Sequence, residues 1–237
     1  MAHDPAKRAA AAAALELVRD GMVLGLGTGS TAAVFVDLLA ERMERDGIGV
    51  VGVPTSIATA AQAGALGLPL TTLDAVGALD MTVDGADEVD GDMNLIKGGG
   101  GALLCEKIVA AASDRMVVIA DGSKRVETLG RFPLPVEIVR FGAGATERRI
   151  AQALVDADVG ARTMTRRRVQ DGVFVTDEGH EIVDLALERI GDPPALAARL
   201  ATLPGVVETG LFIGIAKTVL IGQADGSVEA LGETVPA

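Results

Sequence analysis

Apolar residues fall along this chain in short uninterrupted blocks separated by stretches in which they return every three or four positions. The first pattern predicts strands buried on both faces, the second amphipathic helices. Asp4 is placed to cap a first helix, with Pro5 at its first position, and the alanine-rich segment continues to Arg19, where Gly21 stops it. Met22 to Gly25 predict a buried strand, followed by a glycine-rich turn and a helix from Ser30 to Arg45. A second strand spans Ile48 to Val53, and a helix runs from Ser56 to Gly64 or Gly67. Pro69 to Leu73 and Asp80 to Val83 predict two further strands, Ala102 to Ala112 a helix and Arg115 to Ala120 another strand. Strand and helix alternating in this way define an α/β fold: a Rossmann-like, mostly parallel sheet flanked by helices.

After Arg131-Phe132-Pro133 the pattern changes. Leu134 to Val139, Arg162 to Thr165, Val173 to Thr176 and Glu181 to Leu185 predict short strands, the last two forming a hairpin about Asp177-Glu178-Gly179. Helices near Thr146 to Asp156 and Pro194 to Leu203 accompany them. A smaller α+β domain over residues 131–204 is therefore expected inside a main domain of 1–130 and 205–237, whose sheet resumes at Val206.

Composition narrows the partners. Hydrophobic residues make up 49% of the 237 and charged ones 23%, the balance of a globular protein with a sizeable core. Aromatic content is 2%, with no Trp or Tyr, so base-stacking platforms are scarce, and the net charge of -12 repels nucleic acid and anionic membrane. The basic run Arg166 to Arg168 is accordingly read as a solvated strand end rather than an RNA patch. A single cysteine, Cys105, excludes an internal disulfide and fits a reducing cytosol. No stretch approaches the ~18 apolar residues of a membrane span, and charged Glu16, Arg19 and Asp20 follow the alanine block too closely for a signal peptide. The expected location is cytoplasmic, with no membrane and no nucleic-acid partner.

The chemistry concentrates around I-K-G-G-G-G-A-L-L-C-E-K and the acidic turn V-D-G-A-D-E-V-D before it. Four consecutive glycines cost backbone entropy at every position, but they let a backbone approach a ligand closely and aim its N–H groups at it. The turn L-G-T-G-S-T opens a helix, where free N–H groups and the dipole attract anions. The dinucleotide fingerprint fails there, because Ser30 occupies the third glycine position. The Walker pattern fails for want of Gly-Lys-Ser/Thr. What remains is a small phosphate cradle of Thr28, Gly29, Ser30 and Thr31; an ordinary capped strand-to-helix turn fits the same spacing. Lys7, a cation in a first helical turn, reads either as solvated or as facing that anion. Asp84 ends a strand, so Thr28, Asp84 and the glycine run are expected at one edge of one sheet. A calcium loop does not fit: with Gly91 at the invariant glycine, Ala86 and Lys97 fall on ligand positions. Glu106 sits at the margin of its helix's apolar face. Partial desolvation there would raise its pKa towards that of a general base, whereas a solvated Glu beside Lys107 satisfies the pattern as well. Cys105 has no partner base in sequence, with His3 and His180 far off, and is read as structural.

These motifs in order, G-L-G-T-G-S-T at Gly25 to Thr31, D-G-A-D-E at Asp84 to Glu88, K-G-G-G-G-A-L-L-C-E-K at Lys97 to Lys107 and D-G-S-K at Asp121 to Lys124, resemble ribose-5-phosphate isomerase, type A. R-F-P-L-P-V-E at Arg131 to Glu137 and P-G-V-V-x-T-G-L-F at Pro204 to Phe212 extend the likeness over nearly the whole chain. The departures are a fourth glycine, Gly101, and Gly122 where relatives often carry alanine. The resemblance implies interconversion of ribose 5-phosphate and ribulose 5-phosphate through a cis-enediolate, without metal or organic cofactor. By position, Glu106 would be the base and Lys97 would stabilise the enediolate oxygen, with help from the amides of Gly98, Gly99 and Gly100. Asp84 and Asp87, with Gly85 and Ala86 between them, would handle sugar hydroxyls and ring opening. Thr28, Gly29, Ser30 and Thr31, with Lys7 and Lys124, would hold the other substrate oxygens, including phosphate. The implied partner is a sugar phosphate, and a homo-oligomer is expected, a dimer first. Two rivals share the fold: an amino-sugar phosphate deaminase, which needs a site histidine these loops lack, and a sugar-phosphate-sensing module, which needs a basic DNA-reading domain. A CoA transferase would instead form a covalent acyl-glutamate.

Overall fold

The computed structural model describes residues 4–170 and 172–233; His3 lies outside them. Its elements in chain order are α1 (Pro5–Leu15), β1 (Val23–Leu26), α2 (Ser30–Asp46), β2 (Val51–Pro54), α3 (Ile57–Ala65), the single turn α4 (Leu73–Val76) and β3 (Met81–Gly85). Then come β4 (Glu88–Val89), β5 (Leu95–Ile96), α5 (Leu103–Ala111), β6 (Met116–Asp121), β7 (Leu134–Ile138) and α6 (Ala143–Val155). The chain ends through β8 (Thr163–Arg166), β9 (Arg168–Val169), β10 (Gly172–Val173), β11 (Glu181–Ala186), α7 (Pro193–Ala201), β12 (Val206–Thr209), β13 (Leu211–Phe212), β14 (Ala216–Gly222) and β15 (Val228–Gly232). They fall into two compact units. One takes in the described chain up to Ala86, Cys105–Arg125 and the chain from Gly214 onward; the other takes in Asp87–Leu104 and Val126–Ile213.

The first unit is built on a six-stranded sheet of order β15-β14-β6-β3-β1-β2, parallel except for the edge hairpin β14–β15. This is the Rossmann-like α/β sheet that the alternation predicted. Leu24, Leu26, Val83, Val117 and Ile119 from its strands and Phe35 and Leu39 from α2 make its core, all under 1% exposed. Burying each such side chain contributes roughly 1.5–3 kcal/mol. Helix α1 begins as expected, with the Asp4 carboxylate accepting from the Ala6 amide. Its alanines bring the backbone so close to β14 that a Cβ on Gly222 would lie 1.9 Å from the Ala6 carbonyl oxygen. The helix stops at Leu15 rather than Arg19, the chain continuing through the bonds from Leu17 N–H to Ala14 O and Val18 N–H to Leu15 O.

The second unit has a four-stranded antiparallel sheet, β12-β7-β11-β8, a three-stranded one, β13-β5-β4, and the ribbon β9–β10. Leu134, Val136, Ile138, Val183 and Leu185 from the strands, with Ile150, Leu154 and Leu200 from α6 and α7, form its core. Several expectations change here. Val206 does not resume the main sheet: β12 pairs antiparallel with β7, and the parallel sheet resumes only at Ala216. The Pro69–Leu73 segment contributes one isolated bridge, Leu70 to Gly52, before turning into α4. The Val173–Thr176 strand is reduced to β10 and a bridge from Val175 to Glu181, with the Asp177-Glu178-Gly179 turn closed by Gly179 N–H to Thr176 O. The second unit also extends past residues 131–204 at both ends, because Asp87–Leu104 enters it through β4 and β5 and residues 205–213 through β12 and β13.

Candidate active site

In the first unit the site grows from the carboxyl ends of β1, β3 and β6. Asp84 is fully buried, and its Oδ1 accepts from the Thr28 amide at 3.1 Å and the Gly85 amide at 2.7 Å. It can lie this close to β1 because Gly27 has no side chain: a Cβ there would stand 2.2 Å from Asp84 Oδ1 and 2.6 Å from its Cα. The Thr28 hydroxyl is surrounded by others, Thr55 Oγ1 and Ser56 Oγ at 2.8 Å and Thr59 Oγ1 at 3.2 Å. Sequence reading did not assign Thr55, Ser56 or Thr59 to the site; the hydroxyl-rich P-T-S closing the second strand was the available signal.

Next in the chain, α2 starts at Ser30 with Gly29 as its N-cap and no side-chain cap, leaving the first-turn amides of this 17-residue helix for an anion. Thr31 is buried in that turn. Lys7 reaches it, its Nζ donating to Ser30 Oγ at 3.0 Å. After β6 a 3-10 turn, Gly122–Lys124, is capped by Asp121, whose Oδ1 accepts from the Ser123 amide at 2.9 Å and from the Ser123 hydroxyl. Burial pushes the Asp121 carboxyl up, but those hydrogen bonds and the charges of Lys124 and Lys7 outweigh it and hold it below its ordinary value of 3.8. Lys7, Ser30 and Lys124 thus belong to one polar cluster, with Asp121 moderating its positive charge.

That depressed pKa has a consequence for stability. A carboxylate with a lower pKa when folded stabilises the fold above its unfolded pKa, and the contribution disappears as pH falls through the folded value. Asp121→Asn is therefore expected to be less stable than the parent at about pH 7, with the gap in urea midpoint closing below about pH 4. A gap that stays constant from about pH 7 to about pH 3 would show that the ionised carboxylate is not its source.

In the second unit, the acid-rich turn is closed by its own hydrogen bonds. Asp90 accepts from the Asp92 and Asn94 amides and the Asn94 side chain, folding β4 back on β5. Glu88, 1% exposed, accepts from the Gly130 and Phe132 amides, both at 2.7 Å, which ties the R-F-P motif to the D-E motif. The glycine run follows β5, which belongs to the antiparallel sheet β13-β5-β4. The run thus leads from a strand outside the parallel sheet, whereas Thr28 and Asp84 lie at the carboxyl ends of strands within it.

Lys97 is 2% exposed, its amide donating to Gly210 O at 2.9 Å and its ammonium lying 5.4 Å from the centroid of the Phe212 ring. Gly210 is required by that approach, since a Cβ would stand 2.3 Å from the Lys97 carbonyl oxygen. This accounts for the T-G-L-F motif. Gly98 and Gly101 take φ of 98° and 87°, a region that costs an L side chain dearly, and Gly101 N–H donates to Gly98 O. The Gly99 amide donates to Asp87 Oδ2 at 2.7 Å. Gly99 and Gly100 are exposed, while Gly98 is buried. Gly85 and Ala86, which lead from Asp84 to Asp87, are half-buried.

Glu106 lies in the first turn of α5 and is 3% exposed, deeper than the helix-margin position the wheel placed it in. The basic run 166–168 also differs from expectation. Arg166 pairs with Glu147 and Glu181, and Arg167 with Asp184 and the glycine run; Arg168 is exposed. Opposing charges inside the second unit claim the first two guanidinium groups, so this is not a solvated strand end.

The first unit is thus an α/β scaffold whose parallel sheet gathers a helix N-terminus, clustered hydroxyls and Lys7 at its carboxyl edge. A model of the ribose 5-phosphate isomerase A (phosphoriboisomerase A) family matches residues 51–226. A ribose-5-phosphate isomerase A from Bradyrhizobium diazoefficiens is 59% identical over 230 residues, 95% of each chain. One from Nitrobacter hamburgensis is 59% identical over 95% of this chain and 97% of its own. Among solved structures, a D-ribose-5-phosphate isomerase in complex with phospho-erythronic acid superposes with a TM-score of 0.90 at 39% identity, covering 98% of this chain and 100% of the other. The enzyme from Methanocaldococcus jannaschii gives 0.88 at 37%, over 96% and 98%. This chain belongs to the ribose 5-phosphate isomerase A family and is an isomerase. No helix among the described residues is long and apolar enough to cross a membrane.

Proposed function

We propose that the protein interconverts D-ribose 5-phosphate and D-ribulose 5-phosphate through an enediolate, with Glu106 as the base. The observation that carries this reading is the burial of both a cation, Lys97, and a carboxylate, Glu106, which flank the glycine run in sequence. The phosphate is assigned to the α2 amides, Thr28 to Thr31, Lys7 and Lys124, and Asp84 and Asp87 to the sugar hydroxyls and ring opening. In the open aldose Glu106 removes the proton on C2, and the electron pair of that C–H bond moves into the carbon framework, leaving negative charge on O1. Lys97 and the amides of the run stabilise that oxygen. The O2 proton passes to O1, Glu106 returns its proton to C1, and the carbonyl now stands at C2. Atoms and electrons balance within the substrate, so no oxidant, metal or organic cofactor enters the scheme.

The name and bound sugar-acid phosphate of the superposing structure support the substrate class. The same reading places the enzyme in the non-oxidative pentose phosphate pathway, in the cytoplasm, as a homodimer. The test is direct. Purified full-length protein with ribose 5-phosphate in EDTA is expected to form ketose; no turnover under those conditions would overturn the assignment. Release of ammonia from an amino-sugar phosphate would transfer it to the deaminase reading.

A further inference from the structure

The glycine run is held from behind by the middle residue of the basic run 166–168. Arg167 donates through Nη1 to the Gly98 carbonyl at 2.9 Å and the Gly99 carbonyl at 3.2 Å. Its other nitrogens are engaged with Asp184, Nε to Oδ2 at 2.9 Å and Nη2 to Oδ1 at 2.5 Å, the two-pronged geometry that fixes a guanidinium in plane. The Arg167 backbone is anchored too, its amide donating to Ile182 O and its carbonyl accepting from Phe174 N–H. The Phe174 ring lies 5.7 Å from the guanidinium carbon and occupies the space beside Gly101, where a Cβ would come within 2.4 Å of its Cζ.

A peptide unit is planar and trans, so its C=O and N–H point in opposite directions. The Gly98 carbonyl shares a plane with the Gly99 N–H, and the Gly99 carbonyl with the Gly100 N–H. Fixing both carbonyls on one guanidinium therefore turns both N–H groups to the opposite side. The Gly99 N–H does point away, to Asp87. We propose that Arg167, braced by Asp184 and Phe174, is a positioning residue that sets the direction in which the Gly99 and Gly100 amides of the isomerase site are presented. The inference rests on the reading that this run serves the enediolate. It also explains why glycine extends to position 101: the brace needs room for an aromatic ring there.

Arg167→Ala is expected to lower kcat by about 10–100-fold, the scale on which misplaced donors act, while KM changes little. Millimolar guanidinium should restore part of the lost kcat. Arg167→Lys should stay impaired, since a lysine supplies a point charge and not a fork. Amide exchange should accelerate at Gly99 and Gly100 ahead of the rest of the chain. Wild-type kcat in Arg167→Ala would overturn the proposal, as would impaired turnover with no guanidinium rescue and uniformly faster exchange, which marks general destabilisation. If Arg167→Ala fails to fold, Arg167→Lys, which keeps the stem and charge, takes over the kcat and exchange readouts. Failure of the underlying reading looks different: the wild type would not turn over ribose 5-phosphate, or Lys97→Ala would leave kcat intact.

Discussion

Glu106→Gln is expected to lower kcat by about 10²–10⁴-fold, the range a positioned general base contributes to proton transfer, with the melting temperature nearly unchanged. Gln matches Glu in shape and hydrogen-bonding reach but cannot accept a proton, so the substitution isolates the chemical step. The side chain is 3% exposed within a short helix, and exchanging a carboxylate for a neutral amide there removes a charge without opening a cavity. Glu106→Asp supplies the complementary measurement. It keeps the base but withdraws it by about one methylene, and misplacement on the order of 1 Å can cost about 10²-fold. Steady-state turnover and incorporation of solvent deuterium at C1 or C2 would report both. Undiminished turnover by the Gln variant would exclude Glu106 as the base.

Gly27→Ala is expected to destabilise the first unit strongly by forcing β1 and β3 apart. Its Cβ would stand 2.2 Å from Asp84 Oδ1, 2.3 Å from Cγ and 2.6 Å from Cα. A side-chain tip could swing away, but the Asp84 Cα is backbone, and β1 and β3 are hydrogen-bonded neighbours in register at Leu26 and Val83. The strands must part, or Asp84 must leave the Thr28 and Gly85 amides. Overpacking of this kind costs typically 1–3 kcal/mol and occasionally more; we expect about 3 kcal/mol here because two backbones collide. Urea unfolding should show a lower midpoint with an unchanged slope. The contrasting site is Gly25, where a Cβ would meet Thr82 Oγ1 at 2.0 Å and Val109 Cγ1 at 2.6 Å, both side-chain atoms. A midpoint for Gly27→Ala equal to that of the parent would show that the sheet has more room than these distances allow.

The parallel sheet was legible because its strands are continuous apolar blocks ending in Gly-Thr-Gly-Ser, Asp84 and Asp121-Gly-Ser-Lys, each with a local signal at its carboxyl end. The second unit was legible only in part. Strands such as β4, β5, β9, β10 and β13 are two residues long and carry no periodicity of their own; long-range pairing decides them. Val206 shows the same limit, since V-V-E-T reads equally well as a strand of either sheet, and its partner β7 lies some seventy residues earlier in the chain. Arg167 was misjudged for a related reason. A run of three arginines on an acidic protein looks like solvent-facing charge, and nothing local reveals that Asp184 and two glycine carbonyls wait for the middle one.

By itself, the sequence determined the α/β class, the glycine-rich turn that opens α2 and the residues around the glycine run on which the isomerase reading rests, because these depend on residue type and short spacing. Tertiary structure alone decided how deeply Glu106 and Lys97 are buried, which carboxylate takes the Gly99 amide and what holds the run from behind. Those outcomes depend on which groups distant in the chain come within about 3 Å of one another, and hydrogen bonds at that range carry no periodic trace in a sequence. The run of glycines announces only that a backbone must come close to something; the fold supplies Arg167, Asp87 and Phe174 as what it comes close to.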